Sequence, residues 1–448
     1  MKAPNLIMNG TLSDTTRTAT PRLGLKGVLS IPLYSNACYL IADTAVLSLL
    51  GVAFWVIVAK LYTPAEVGLA SATIAAVIFL ARLSGLGFGY GLIRFLPTAG
   101  LRSNTLINSC FTIAGLTSLA AALVFVTGLS FWSPALHYIH QPLFSISFVL
   151  VTVMYTLFLL TDQTFIARRR AKYVLFKNAI AGLLKLAAAV AFASLLSAFG
   201  IFASWGLAIS LALAIALFQF LPQAQRGYVP MPTVCKETVN DMIHFSLGNH
   251  IAELLWLTPL LLFPLMVINI LGAETNAYFY VAWIIAQTLF TIPLAISYSL
   301  FAEGSHEEEL LRANTIKSVK LCLLTLVPLI AMLLVLSDKL LLFFGRSYSE
   351  SGAILLGILA LSAIPVTINF IGLSVMRVKK NTRGVILVSA SIACLALGSG
   401  YILMTRVGLP GVGLGWITAQ TVVAIAVVLL LSRIHHRSAS TMLEQHPE

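Results

Sequence analysis

Four ionisable residues fall inside long apolar runs: Asp43, Arg82, Lys185 and Glu253. A charge at the centre of a bilayer costs on the order of 3 kcal/mol or more, so it normally faces a cavity or a partner. Arg82 and Lys185 have the chemistry to attract an anionic substrate such as a diphosphate. Asp43 and Glu253 are candidates for binding a coupling cation or proton. A plainer reading competes: the four only form stabilising pairs, or the long bases snorkel to the interface. No catalytic constellation accompanies them. The eight histidines form no HExxH motif, and no Ser-His-Asp or Cys-His arrangement can be argued. Cys38, Cys110, Cys235, Cys322 and Cys394 are scattered without C-x-x-C spacing, which predicts no metal site, no cofactor and no disulfide framework. The expectation is a protein that is not an enzyme.

Residues of this kind need apolar elements to hold them. The 448 residues are 59% hydrophobic and 10% charged, with a mean hydropathy of +0.95. Soluble domains carry about 25% charged residues, so the class is an all-α, polytopic membrane protein. Apolar runs long enough to span a bilayer recur from residue 39 almost to the end. They divide into about twelve spans. The reading assigns 1–34 to a cytosolic tail, 35–222 to a first six-helix bundle and 223–243 to a cytosolic linker. A second bundle occupies 244–432 and a cytosolic tail 433–448.

Charge placement sets the expected orientation. With the N-terminus cytosolic, 22 of the 28 Lys and Arg residues fall in inner segments, 4 in outer ones and 2 inside spans. That asymmetry predicts both termini on the cytosolic side of the cytoplasmic membrane. It also accounts for the net charge of +12 without nucleic acid as a partner. Two basic clusters, around Arg169 and Lys172 and around Arg377 and Lys380, could attract anionic lipid at the inner mouth. They coincide when the chain is slid against itself by 208 residues, as do Ala65-Glu66 with Ala273-Glu274 and Gly200 with Gly408. Two six-helix halves entering from the same side form a parallel repeat, and in transporters built that way the path lies between the halves.

Local signals refine the picture. "TPAEVG" (63–68) predicts a capping box, with Thr63 as N-cap, Pro64 at the first helical position and Glu66 closing the box. "ARLSGLGFGYGLIRFLP" (81–97) matches a dinucleotide fingerprint only loosely, and it follows a helix rather than a strand, so that reading fails. Its glycines serve either close helix packing or a hinge. Counting about 1.5 Å per residue from the first hairpin tip puts Asp43 and Arg82 within about 5 Å in depth, close enough to pair. Lys185 reads as mid-depth, and Trp132, Trp205 and Trp416 as interfacial belt residues.

The opening of the chain resembles a known family. Its marks are Asn36, Gly51-x-x-Phe54-Trp55, Ala59-Lys60-Leu61-Tyr62-x-Pro64-x-Glu66-Val67-Gly68 and Gly85-Leu86-Gly87-x-Gly89 followed by Arg94-Phe95-Leu96-Pro97. These are similar to polysaccharide biosynthesis membrane proteins, the oligosaccharide flippases of the multidrug/oligosaccharidyl-lipid/polysaccharide exporter superfamily. The resemblance implies a MATE-like, V-shaped transporter of two bundles working by alternating access. It implies a polyprenyl-diphosphate-linked glycan as substrate, carried from the inner to the outer leaflet among membrane lipids. The alternative on the same fold is a small-solute or drug cation antiporter, for which acids should dominate the cavity. A membrane glycosyltransferase or polymerase is disfavoured by the short outer loops. A non-transporting scaffold would make Arg82 and Lys185 dispensable.

Overall fold

The first hairpin shows how the sequence builds the molecule. In the computed structural model, which describes residues 32–193 and 197–444, α1 (Pro32–Leu61) stops just before Thr63. The Thr63 hydroxyl accepts from the Glu66 N–H at 3.4 Å, and Glu66 Oε2 accepts from the Thr63 N–H at 2.8 Å. The capping box therefore forms, and α2 (Pro64–Ser84) starts at Pro64. Nearly all of the expected N-terminal tail, and the last residues of the C-terminal one, lie outside the described residues.

The remaining elements are also helices. The first half continues with α3 (Phe88–Phe95), α4 (Ser103–Thr127), α5 (Pro142–Ala167), α6 (Ala171–Phe192) and α7 (Ser197–Ile215). The second half contains α8 (Lys236–Leu271), α9 (Ala273–His306), α10 (Leu311–Leu342), α11 (Arg346–Leu361), α12 (Ala363–Val378), α13 (Thr382–Val407) and α14 (Leu409–Glu444). Among the described residues there is no strand, and 12 helical stretches are long and apolar enough to cross a membrane. The chain is a multi-pass membrane protein. Within the first half α1 packs on α6, and α5 on α4 and α7; within the second, α13 packs on α14 and α8, and α9 on α11 and α12.

The two halves meet along α2, which packs on both α8 and α9. At the end carrying the hairpin tips the approach is very close. A side chain on Gly68 would drive into the Ala273 backbone, and the Asn276 amide donates to the Gly68 carbonyl at 2.8 Å. At the opposite end α8 begins at Lys236, inside the segment expected to be linker. Its first turns lie against the first half, where Met242 joins the apolar cluster of Phe88, Leu92, Leu106 and Tyr173. The rest of that segment is strapped along α4 by four hydrogen bonds. Asn104 and Asn108 donate to the Gly227 and Val229 carbonyls, while the Thr233 and Cys235 amides donate to the Thr112 and Ser109 hydroxyls.

Two sequence expectations need correction. Trp416 is fully buried and Trp205 nearly so, while Trp132 is half exposed. Trp416 is a core residue, its indole N–H donating to the Ser362 hydroxyl at 3.1 Å and its ring 5.2 Å from that of Trp283. The basic turns match at a different register. Arg169 and Lys380 both hold φ of +54°. In both turns the next residue closes on the helix before it, Arg170 N–H to the Phe165 carbonyl and Asn381 N–H to the Met376 carbonyl, each 2.9 Å. The counterpart of Arg169 is therefore Lys380, not Arg377, because the second half has gained residues between its tip and this turn.

Candidate functional site

The second membrane span is broken where the glycines cluster. α2 ends at Ser84 and α3 restarts at Phe88, with Leu86 and Gly87 in the left-handed region at φ +48° and +71°. Leucine is strained there, whereas glycine is not. A side chain on Gly87 would strike the Ser246 carbonyl and the His250 Cβ, and one on Gly91 would strike Met242. The glycines thus serve close packing, letting α8 lie against a break in the helix.

Beside the break is a cavity of about 260 Å³, walled by Arg82, Gly85, Gly87, Gly89, Gln163 and His250, with Tyr90, Thr156 and Glu253 completing its polar lining. Arg82 Nη1 lies 3.4 Å from Glu253 Oε1, an ion pair joining α2 of one half to α8 of the other. Both side chains keep about a third of their surface exposed, 35% and 28%. His250 Nδ1 stands 4.0 Å from the other carboxylate oxygen. The Tyr90 phenol lies beside the same carboxylate. His250 is buried, with its imidazole beside the Arg82 and Leu83 backbone.

The expected Asp43–Arg82 pair does not form. Depth is not the reason. Arg82 follows Pro64 by about as many residues as Asp43 and Glu253 precede Leu61 and Leu271, which puts all three roughly 27 Å from the tips. The direction each side chain takes decides the partner: Arg82 faces α8, while α1 packs on α6. Asp43 accepts from the Asn178 amide through both oxygens, at 3.0 and 3.2 Å. The neighbouring residue on α6, Lys177, is wholly buried, with Nζ 2.8 Å from Asp162 Oδ1 and 2.8 Å from the Phe158 carbonyl. Asp43, Asp162, Lys177 and Asn178 therefore form a charged cluster inside the first half.

Lys185 is placed differently from its expected mid-depth. α6 ends at Phe192, earlier than the apolar pattern suggested, so Lys185 lies only about 10 Å from the tip end of that helix. Its ammonium stands 5.0 Å from the Phe54 ring centre, and it is not in the walls of the cavity. Arg169, Arg377 and Lys380 are exposed, and Lys172 is half-buried with its Nζ over the Tyr173 ring at 4.8 Å.

Sequence reasoning missed His250, Gln163 and Tyr90 in the cavity, and Lys177 in the cluster. Lys177 was readable by depth: Asp162 stands about as far before the turn at 168–170 as Lys177 stands after it. His250 and Gln163 gave no signal, since nothing local marks which face of a helix will meet the other half.

Comparison with known proteins places this geometry. A sequence model described as polysaccharide biosynthesis protein matches residues 57–353. The lipid II flippase MurJ in an inward-closed conformation aligns with a TM-score of 0.70 at 12% identity, over 88% of this chain and 87% of that one. An inward-facing multidrug resistance MATE family transporter of the MOP superfamily aligns at 0.66 with 15% identity, over 90% of this chain and 99% of the other. A MOP superfamily transporter from Pyrococcus furiosus, described by the reverse polarity of its binding pocket, aligns at 0.60 with 13% identity, over 90% and 96%. No curated protein sequence matches. At such identities the likeness establishes the shared fold.

Proposed function

Because the chain belongs to the polysaccharide biosynthesis protein family, we propose that it is a flippase for a lipid-linked glycan. It carries a polyprenyl-diphosphate glycan from the inner to the outer leaflet by alternating access and performs no covalent chemistry. The observation that carries this reading is Arg82, a base held at membrane depth in the wall of a cavity between the halves. A guanidinium suits the phosphoryl oxygens of such a head group. The prenyl chain would stay in lipid while the polar head moves between α2 and α8. Both termini lie on the cytosolic side in this reading, and the turns bearing Arg169, Lys172, Arg377 and Lys380 attract anionic lipid at the inner mouth. Lys185 contributes charge nearer the outer end. A proton or cation gradient that resets the cycle would act at Asp43 and its cluster.

Glu253 in the same cavity supports a second reading, an antiporter of cationic solutes. The two separate by mass spectrometry of lipids that co-purify with the wild type and with Arg82→Ala. The flippase reading expects a prenyl-diphosphate glycan on the wild type and a large loss of it from the variant. Absence of such a lipid from a folded wild-type preparation overturns it in favour of the antiporter.

A further inference from the structure

Glu253 is held as an anionic ligand would be. Three different groups from three elements surround its carboxylate: the Arg82 guanidinium from α2, the His250 imidazole from α8 and the Tyr90 phenol from α3. The start of α3 supplies part of the same wall through Gly87 and Gly89, and helix amino ends favour anions. The His250 side chain is more than nine-tenths buried and lies beside the Arg82 and Leu83 backbone as well as the Glu253 carboxylate. The pair is not sealed, and the cavity beside it has room for a phosphate group, since one water's share of volume is about 30 Å³.

We propose that this is a phosphoryl-anion site occupied in the resting protein by its own carboxylate, and that the phosphate of the substrate displaces Glu253 from Arg82. The proposal rests on the flippase reading and adds how substrate is coupled to movement. The Arg82–Glu253 pair links the halves, so parting α2 from α8 strips Arg82 of its counter-charge within the membrane. An empty transporter therefore stays latched. A bound phosphate replaces the carboxylate on Arg82, and the halves can separate without an uncompensated charge. A ligand shifts such an equilibrium only through its differential affinity for the two states. Here the difference arises because phosphate and Glu253 compete for one guanidinium.

Farnesyl diphosphate, which carries the prenyl-diphosphate chemistry without a glycan, is the probe. Its affinity is measured on the full chain in lipid nanodiscs for wild type, Glu253→Gln, Arg82→Ala and Arg82→Lys, with thermal unfolding of each recorded alongside. Removing the competing carboxylate should tighten binding about tenfold, as like charges brought together are strongly unfavourable. Arg82→Ala should weaken binding at least about tenfold, with Arg82→Lys between it and wild type. Should Glu253→Gln fail to fold, Glu253→Met takes its place and should likewise bind more tightly than wild type. A folded Glu253→Gln that binds no tighter than wild type overturns the displacement while leaving the flippase reading standing. Wild type that ignores farnesyl diphosphate but binds tetraphenylphosphonium, with loss in Glu253→Gln, overturns both.

Discussion

The two halves bury different kinds of polar group. Among the described residues, Asp43 and Lys177 are buried charged side chains, and both belong to the first half. Away from the seam and the hairpin tip, the fully buried side-chain hydrogen bonds of the second half are neutral. Asn369 donates to the Gln420 side chain at 2.7 Å and to its carbonyl at 3.0 Å, and the Ser374 hydroxyl donates to the Ser297 carbonyl at 2.7 Å. Around Trp416 stand Phe263, Trp283 and Phe290, with ring centres 5.2 to 6.2 Å away. A neutral aromatic core is insensitive to ions and voltage, and it holds its shape by packing. A cluster of two carboxylates and an ammonium changes its balance whenever one proton or ion is gained. The difference places the buried charge in the first half and the cross-half ion pair at the seam of Arg82 and Glu253.

The sharpest way to break this contrast is Lys177→Met. The substitution keeps the length of the side chain and removes the ammonium between Asp162 and Asp43. Taking one partner from a buried pair leaves an uncompensated charge, a loss of about 3–5 kcal/mol. Thermal unfolding in detergent should show a large drop or no folded protein at all. Adding Asp162→Asn to the same chain should recover much of it. If Lys177→Met alone unfolds like wild type, the cluster is not held by charge and the contrast with the second half disappears.

The matching test in the second half is Asn369→Leu. It strands the Gln420 amide in a buried site, which costs about 1–3 kcal/mol. The double variant Asn369→Leu/Gln420→Leu should return most of that loss, because two apolar groups leave nothing unsatisfied. The expected order, a larger loss for Lys177→Met than for Asn369→Leu, follows from charge alone and reads out in the same unfolding assay.

What the sequence disclosed and what it hid divide along a physical line. Helix rise along the chain is fixed, so depth was readable where a helix end was well marked, as for Arg82 and Glu253, which meet at 3.4 Å, and was misread for Lys185, whose helix end was not. The capping box at Thr63 was readable because every part of it lies within one turn. Rotation about the helix axis and the fit of one half against the other depend on the whole core, so the partners were not readable. Arg82 found Glu253 rather than Asp43 for that reason, and Lys177, counted with the topology-setting bases, turned inward to Asp162. The glycine run announced an irregular helix. That Leu86 itself would hold a left-handed φ had no sequence signal, since leucine avoids that region.

The smallest expected effect on stability sharpens the comparison most. In Asp43→Asn the side-chain oxygen can still accept from the Asn178 amide. Lys177 keeps Asp162 and the Phe158 carbonyl as partners. Stability should therefore change by less than about 1 kcal/mol, in the range of one neutral hydrogen bond exchanged for another. Transport should behave otherwise. If the cluster senses the ion that resets the cycle, removing one of its two carboxylates abolishes gradient-driven turnover while leaving prenyl-diphosphate binding at Arg82 intact. Proteoliposomes with and without an imposed proton or sodium gradient separate the two readouts. A folded Asp43→Asn protein that still responds fully to the gradient would make the first-half cluster a structural brace. Its charges would then be equivalent in role to the neutral contacts of the second half, and the electrostatic work would fall to the seam alone.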